Sequence, residues 1–370
     1  MELQTIDAGH DSLEHQSRLC GDHTTDHSGQ QTAMMLYQNK NLNIDKFNTF
    51  NRVGDIEIGV VGHIDREIDI TTFDQLQDFV RELDGDFVIL ARQGSDVVLI
   101  THPLLTKTCY YRLNDLEISL LPVQGQKINW TSCLPNTIYT FKDGILKSVK
   151  NCVKWNHKEL FAGYDRVFEN FESNMYSIPK NEITLTSGKD TGVICAYINK
   201  NKIKSIYHTV RSPSEHQEIL KQRIGLIKMG NSESRLVIKP SQPEKDDINR
   251  RIQIYNAISN PRSLIQAQDI ADLDFIFAGV QDKYLLLGTG GDQLYRYNSL
   301  IVTNPTGLSV DILNMISDWH GVVHLNPLMS TRLYQSFLNV QEKYRKKHCW
   351  QEQYMADLNY PYAVDKYQIS

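Results

Sequence analysis

The sequence predicts an α/β protein in two parts: a mostly β first half with one helix packed on it, and a second half built on a parallel sheet flanked by helices. Three observations carry this reading. From Ile56 onward, short apolar runs follow one another between turn signals, with one polar helical stretch among them. Beyond about residue 180, single apolar runs instead alternate with long amphipathic segments. Two of those later runs end in loops rich in glycine and hydroxyl groups, and ligands of parallel sheets sit just beyond the carboxyl ends of the strands.

Residues 1–34 are polar, with four histidines and little apolar periodicity, and read as a mobile head. His10, His15, Cys20, His23 and His27 carry ligand-type side chains there, but their spacing fits no standard metal site. Residues 35–155 form the β-rich unit. Its strands are the runs IEIGVVG, DFVILA, DVVLITH and EISLLPV, and the helix lies around Phe73 to Leu83. Residues 156–370 form the second unit. Its strands are ITLTSG, KSIYHTV, SRLVIKP and YLLLGTG, separated by helical segments such as EHQEILKQRIGLIKM and DDINRRIQIYNAI.

Composition narrows the function. A chain of 370 residues, 41% hydrophobic and 22% charged, is long enough for two cores of ordinary globular composition. Its net charge of -5 gives no general electrostatic reason for a nucleic acid or an anionic membrane as partner. No apolar run approaches the roughly 20 residues that span a bilayer, and no basic-then-apolar leader opens the chain, so a cytoplasmic location is expected. Homo-oligomeric assembly is compatible with this composition. Six cysteines without a CxxC pair argue for free thiols rather than a disulfide framework or a cysteine-rich zinc site.

The two loops carry the chemistry. The first, Thr186-Ser187-Gly188-Lys189-Asp190-Thr191, follows Ile183-Thr184-Leu185 and leads into a helical segment. A small, hydroxyl-rich turn at a helix N-terminus offers backbone N–H groups, hydroxyls and the positive end of a helix dipole to phosphate. Asp190 within it suits a site where magnesium stands between carboxylate and phosphate. A helix start capped by Thr or Ser would produce the same local pattern. The second loop, Leu287-Gly288-Thr289-Gly290-Gly291-Asp292-Gln293-Leu294, follows Tyr284-Leu285-Leu286. Its glycines open the backbone to a ligand and Asp292 supplies a second carboxylate, so Asp190 and Asp292 are the candidate metal ligands. For this loop too there is a structural alternative, a tight turn with Asp292 capping the next helix.

Together these loops resemble those of the asparagine-synthetase family, whose pyrophosphate loop reads SGGxDS and whose later loop reads GxGADEL; the counterparts here are TSGKDT and GTGGDQL. A third segment, Asn326-Pro327-Leu328-Met329 followed by Ser330-Thr331-Arg332-Leu333-Tyr334, resembles the family's PFLD segment and the helix after it. The resemblance covers roughly residues 183–340. It implies an adenine-nucleotide α-hydrolase-like sheet that binds ATP and magnesium. Thr186, Ser187, Gly188, Lys189 and Thr191 would surround the pyrophosphate portion, Asp190 and Asp292 would hold magnesium, and Gly288 and Gly290 would lie near the nucleotide. The implied reaction joins a small carboxylate to ammonia or an amine through an acyl-adenylate, releasing AMP and pyrophosphate.

Fainter resemblances in the first half point the same way. Leu83-Asp84-Gly85-Asp86-Phe87-Val88-Ile89 resembles the family's LNGxFAF strand, and the segment from Thr101 to Tyr111 resembles RDxxGxKPLYY. Both belong to the family's class II glutaminase domain. That chemistry needs a cysteine directly after the initiator methionine, where Glu2 stands, or an N-terminus newly exposed at Cys20. Val61-Gly62-His63 replaces the glutamine-binding NGE segment, and nothing resembles RHRGPD, so a degenerate domain without glutaminase activity is expected.

Departures also touch the ligase site. Thr289 occupies the position at which the family carries a Glu or Tyr that assists proton removal, and a neutral hydroxyl is a poor base. Gln293 follows Asp292 in place of Glu, and Ser187 replaces a glycine. The family's later lysine has no clear counterpart beyond Lys343, Arg345, Lys346 and Lys347, a cluster that reads mainly as a solvated face. Two functions are therefore expected: an ATP-dependent amide ligase using Asp190, Asp292 and Thr289, or a degenerate nucleotide-binding relative acting as a regulatory or interaction protein.

Overall fold

The computed structural model describes residues 35–104, 106–113, 115–120, 129–184, 188–211, 225, 234–240, 273–274, 276–288, 291, 313–314, 316–318, 320–345 and 348–360. The polar head, the loop residues Thr186, Ser187, Thr289, Gly290 and Asp292, and nearly all of the two long amphipathic segments lie outside them.

The first half is β1 (Met35–Gln38), β2 (Asn41–Leu42), β3 (Thr49–Val53), β4 (Ile56–Ile64), helix α1 (Gln75–Glu82), β5 (Gly85–Gln93), β6 (Asp96–Thr101), β7 (Tyr110–Arg112), β8 (Glu117–Ser119), β9 (Thr131–Ser132), β10 (Thr137–Lys142) and β11 (Ile145–Asn151). These strands make two antiparallel sheets, in the orders β2-β1-β8-β7-β9 and β11-β10-β6-β5-β4-β3. Alternation along β5 shows how they stack. Val88 and Leu90 join a core shared with Tyr37, Tyr111 and Ile118 of the first sheet. Phe87, Ile89 and Ala91 join a second core with Leu76 and Val80 of α1. A strand buried on both faces reads as one continuous apolar run, which is why DFVILA shows no alternation.

The second half is α2 (Asp165–Ser177), β12 (Glu182–Thr184), α3 (Lys189–Lys200), β13 (Ile206–Arg211), β14 (Arg235–Pro240), β15 (Tyr284–Leu286), β16 (Val323–Leu325), a 3-10 turn at Pro327–Met329, α4 (Thr331–Leu338) and α5 (Cys349–Asp357). All its strand pairs are parallel, in the order β14-β13-β12-β15-β16. One face of the sheet packs on α2, α3, α4 and α5 through residues such as Phe171, Val193, Leu286, Phe337 and Trp350. The other face sends Leu285 and Leu287 into the core beneath the antiparallel sheets, together with Ile276, Phe277 and Ile316. The mixed α/β architecture expected from the sequence, mostly β first and a parallel sheet with helices after it, is therefore present, and the strands of the first half pair antiparallel.

A buried carboxylate fixes the middle of the parallel sheet. Glu182, at the start of β12, accepts hydrogen bonds from the backbone N–H groups of Gln281 (2.7 Å) and Asp282 (2.5 Å), and its other oxygen lies 2.5 Å from His208 Nε2 on β13. One side chain thus ties the approach to β15 and the neighbouring strand β13 to β12. Strands β10 and β11 had no counterpart among the expected elements. In β11 exposed and half-buried residues alternate, with Ile145 and Val149 exposed on an edge, so no clean apolar period marks it. Cys109, Cys133, Cys152 and Cys195 are buried thiols. No helix among the described residues is long and apolar enough to cross a membrane.

Candidate nucleotide site

The parallel sheet places the two sequence-predicted loops side by side, because β12 and β15 are direct neighbours. Helix α3 begins at Lys189, with Gly188 as N-cap and no side-chain cap hydrogen bond, so the hydroxyl-capped start open from the sequence is not what forms here. Asp190 and Thr191 occupy its first turn, with Thr191 buried.

From β15, Leu287 continues the pairing by donating its N–H to Leu325 O (2.9 Å), and Gly288 then meets α3. A Cβ on Gly288 would stand 2.7 Å from Thr191 Oγ1 and 2.8 Å from its backbone nitrogen, distances that real side chains do not adopt. A Cβ on Gly291 would overlap the Asp190 carboxylate. Glycine at both positions is thus required by contact with the other loop. Gly188, Lys189, Asp190, Thr191, Gly288 and Gly291 come together, whereas the placement of Thr186, Ser187, Thr289, Gly290 and Asp292 lies outside the described residues.

A third segment, absent from the sequence reading, completes the neighbourhood. The start of α5 faces Asp190: Gln351 Nε2 donates to Asp190 Oδ1 (3.2 Å), and His348 Nδ1 lies 3.6 Å from the same oxygen. Glu352 pairs with Lys189. Of the basic cluster flagged nearby, Arg345 pairs instead with Glu159 (3.4 Å), and Lys343 lies over the Tyr344 ring. No spacing signal marks Gln351, because it is a buried polar residue set among Trp350, Tyr354 and Met355 and breaks any apolar stripe.

The Asp190 carboxylate and the neighbouring Thr191 hydroxyl are oxygen donors of the kind magnesium prefers, while the side chains of α5 that meet Asp190 Oδ1 do so through nitrogen, the Gln351 amide and the His348 ring. Among the described residues no group of three His, Cys, Asp or Glu side chains could hold a metal by itself, so neutral oxygens or phosphate would have to complete the shell.

The third predicted segment is held from the first half of the chain. Asp86 on β5 accepts from the Asn326 backbone N–H (3.1 Å) and side-chain amide (3.3 Å). Asp84 accepts from Ser330 Oγ (2.5 Å) and the Thr331 N–H (2.9 Å), at the start of α4. Ser330 in turn caps that helix by accepting from the Leu333 N–H. Burial pushes the Asp84 carboxyl above its ordinary value, against those hydrogen bonds. For Asp86, burial is the largest single influence and acts upward, but Lys107, His324, Thr106 and His102 together outweigh it and hold the carboxyl below its ordinary value.

Around this junction the residues aligned with glutaminase motifs form a filled interior. Gly62 has φ +103°, and a Cβ there would press on Asp86 O and stand 2.7 Å from Lys107 Cε. His63 is pushed below its ordinary value by burial, partly countered by Asp86.

No family model matches the sequence, and no curated protein matches it. Among solved structures, the NMN synthetase from Francisella tularensis is similar at 12% identity and TM-score 0.28, over 54% of this chain and 98% of that one. The allosteric regulatory enzyme of purine biosynthesis is similar at 9% identity and TM-score 0.24, over 82% of this chain and 75% of that one. The glutamine phosphoribosylpyrophosphate amidotransferase from B. subtilis, complexed with ADP and GMP, is similar at 10% identity and TM-score 0.24, over 84% and 78%. At these values none of the three decides the fold, which rests on the strand order and the cores described above.

Proposed function

We infer that this chain is an ATP- and magnesium-dependent carbon–nitrogen ligase of the asparagine-synthetase type, without glutaminase activity. The observation that supports it most is the interlock of the two strand-end loops, Gly288 against Thr191 and Gly291 against Asp190. A capped helix and an unrelated glycine turn would not need to meet at two glycines. In this reading a carboxylate oxygen of the substrate attacks the α-phosphorus of ATP and pyrophosphate departs. The nitrogen of ammonia or an amine then attacks the acyl-adenylate carbonyl, AMP leaves, and a proton is lost from nitrogen. Magnesium held by Asp190 and Asp292 would neutralise charge on the phosphates. The start of α3 would present its backbone N–H groups and Thr191 to the pyrophosphate, with Thr186, Ser187, Gly188 and Lys189 beside it. Gly288 and Gly290 would admit the nucleotide to the backbone, and Thr289 would stand near the attacking nitrogen.

A second reading, a nucleotide-binding relative that regulates or binds a partner without turnover, is favoured by the ties between α5 and the first loop. Lys189 is engaged by Glu352, and Asp190 by Gln351 and His348. Product analysis separates the two. The ligase releases AMP and pyrophosphate only when an acid and an amine are present. ATP bound without AMP release, under a panel of acids and amines, leaves the binding role, and formation of ADP overturns the adenylating chemistry.

A further inference from the structure

The cysteines are scattered along the sequence, but the fold sets two of them opposite one another. Cys109 immediately precedes β7 and Cys133 immediately follows β9, strands that pair antiparallel with Tyr110 opposite Ser132 and Tyr111 opposite Thr131. Continuing that register by one residue puts Cys109 across from Cys133, and the Cys133 N–H donates to Cys109 O (2.8 Å). Directly opposed residues of an antiparallel pair send their side chains to the same face. These two are buried in the same core, beside Tyr111 and Tyr139, and their thiols are hydrogen-bonded to each other.

No other described cysteine shares this core. Cys152 belongs to the core on the opposite face of the six-stranded sheet, where its Sγ lies 3.7 Å from Thr101 O. Cys195 belongs to the core of the parallel sheet, and Cys349 opens α5. Opposed residues that share a backbone hydrogen bond have Cα atoms about 5.5 Å apart. A disulfide closes over Cα separations of roughly 4.4–6.8 Å, so this one needs the side chains to turn rather than the strands to move.

We propose that Cys109 and Cys133 are a redox-modifiable dithiol, which a peroxide converts to a disulfide that staples β9 to β7. Burial above all, then the hydrogen bond to Cys109 and its charge, push the Cys133 thiol well above its ordinary value, so in the closed sheet it is protonated and inert. Strand β9 is two residues long and ends its sheet with β7 as neighbour, so it opens at little cost and carries Cys133 out of the core. The exposed Cys133 thiolate attacks the O–O bond and becomes a sulfenic acid, and the other oxygen leaves as hydroxide and takes up the thiol proton. Once β9 recloses, Cys109 sulfur attacks the sulfenyl sulfur, the S–S bond forms and the hydroxyl leaves as water. Two thiols and one hydrogen peroxide thus give one disulfide and two waters, with two electrons passing from sulfur to the peroxide.

The test exposes the full reduced chain to hydrogen peroxide, then unfolds it, alkylates the remaining thiols and maps the peptides by mass spectrometry. The peptides carrying Cys109 and Cys133 are expected to be joined, with a combined mass lower by two hydrogen atoms, and to separate again after dithiothreitol. Cys349, less buried than the other described cysteines, reports whether the oxidant dose sufficed. The oxidised wild type is expected to melt several degrees above the reduced form, a shift that Cys109→Ala and Cys133→Ala lose. Cys109→Ala is also expected to leave a Cys133 sulfenic acid that dimedone captures. The decisive reading uses the wild type, so it survives a variant that does not fold. Both cysteines still alkylated at a dose that oxidises Cys349, or either one joined to another cysteine or to a second chain, overturns the proposal.

Discussion

Lys107 and Asp86 form a buried ion pair, Nζ to Oδ1 at 3.3 Å, with side chains only 3% and 5% exposed. Asp86 sits on β5 of the antiparallel sheet, and Lys107 also donates to His324 O (3.1 Å) on β16 of the parallel sheet. The pair therefore joins the two halves of the chain, and it does so within 3.3 Å of the loop that Asp86 holds through Asn326. Removing one partner leaves the other charge desolvated and alone. Lys107→Met is expected to destabilise the protein by about 3–5 kcal/mol, and the double variant Lys107→Met with Asp86→Leu by distinctly less. Urea unfolding of the two variants checks it, and equal losses in both would show that the pair is not coupled.

The same junction predicts an acid sensitivity. Burial, with the Lys107 ammonium beside it, pushes the His324 imidazole down to about 3. Burial pushes His102 down to about 4, with Asp86 opposing and Lys107 assisting. Both folded values lie below the unfolded value near 6.5, so the unfolded chain binds more protons between them. The stability these groups contribute is complete above about pH 6.5 and declines as pH falls, by up to about 1.4 kcal/mol per pH unit for each histidine. Asp84, whose value is raised, acts in the opposite direction and is common to wild type and variant. His324→Gln should flatten the decline of the urea midpoint between pH 6.5 and 4.5; an unchanged slope would count against a neutral, buried His324.

Glycine at the loop contact is expected to be irreplaceable. Gly288→Ala would force Thr191 away and Gly291→Ala would displace the Asp190 carboxylate. Each should cost about 1–3 kcal/mol through overpacking and should abolish binding of the ATP analogue. Gly163→Ala, where an added Cβ meets nothing within 4 Å, is the control and should stay within about 0.5 kcal/mol. Analogue binding that survives in both loop variants would separate the glycine contact from the nucleotide site.

Glu182 should matter for stability although it lies at the opposite end of β12 from the loop. Glu182→Ala would orphan the N–H groups of Gln281 and Asp282 and the partner of His208, a loss of about 3 kcal/mol or more. Glu182→Gln keeps an acceptor and should lose less. Thermal denaturation orders the variants, and equal melting temperatures would exclude the anchoring role.

Much of this architecture was legible in the residues. The runs KSIYHTV, SRLVIKP and YLLLGTG became β13, β14 and β15, each a short run with apolar or β-branched residues at its centre. The stretch from Phe73 to Leu83 became α1 at Gln75–Glu82, its Leu76 and Val80 spaced to reach one face. Edge strand β11 was not legible, since one exposed strand with Ile145 and Val149 facing outward has no period to read. Asp84 and Asp86 were legible only as part of a motif. That they clamp Ser330 and Asn326, roughly 240 positions away, has no local signature.

By itself the sequence indicated a mixed α/β fold, several of the main strands of each half and the two loops that follow β12 and β15, because these depend on local period, turn chemistry and composition. Only the tertiary structure decided what meets those loops. The adjacency of β12 and β15, the glycines pressed against Asp190 and Thr191, and the approach of Gln351 from α5 all arise from long-range packing. Contacts between residues 161 positions apart in sequence, such as Gln351 with Asp190, follow from how whole layers close over a shared core, and a single chain of letters encodes them only through that closure.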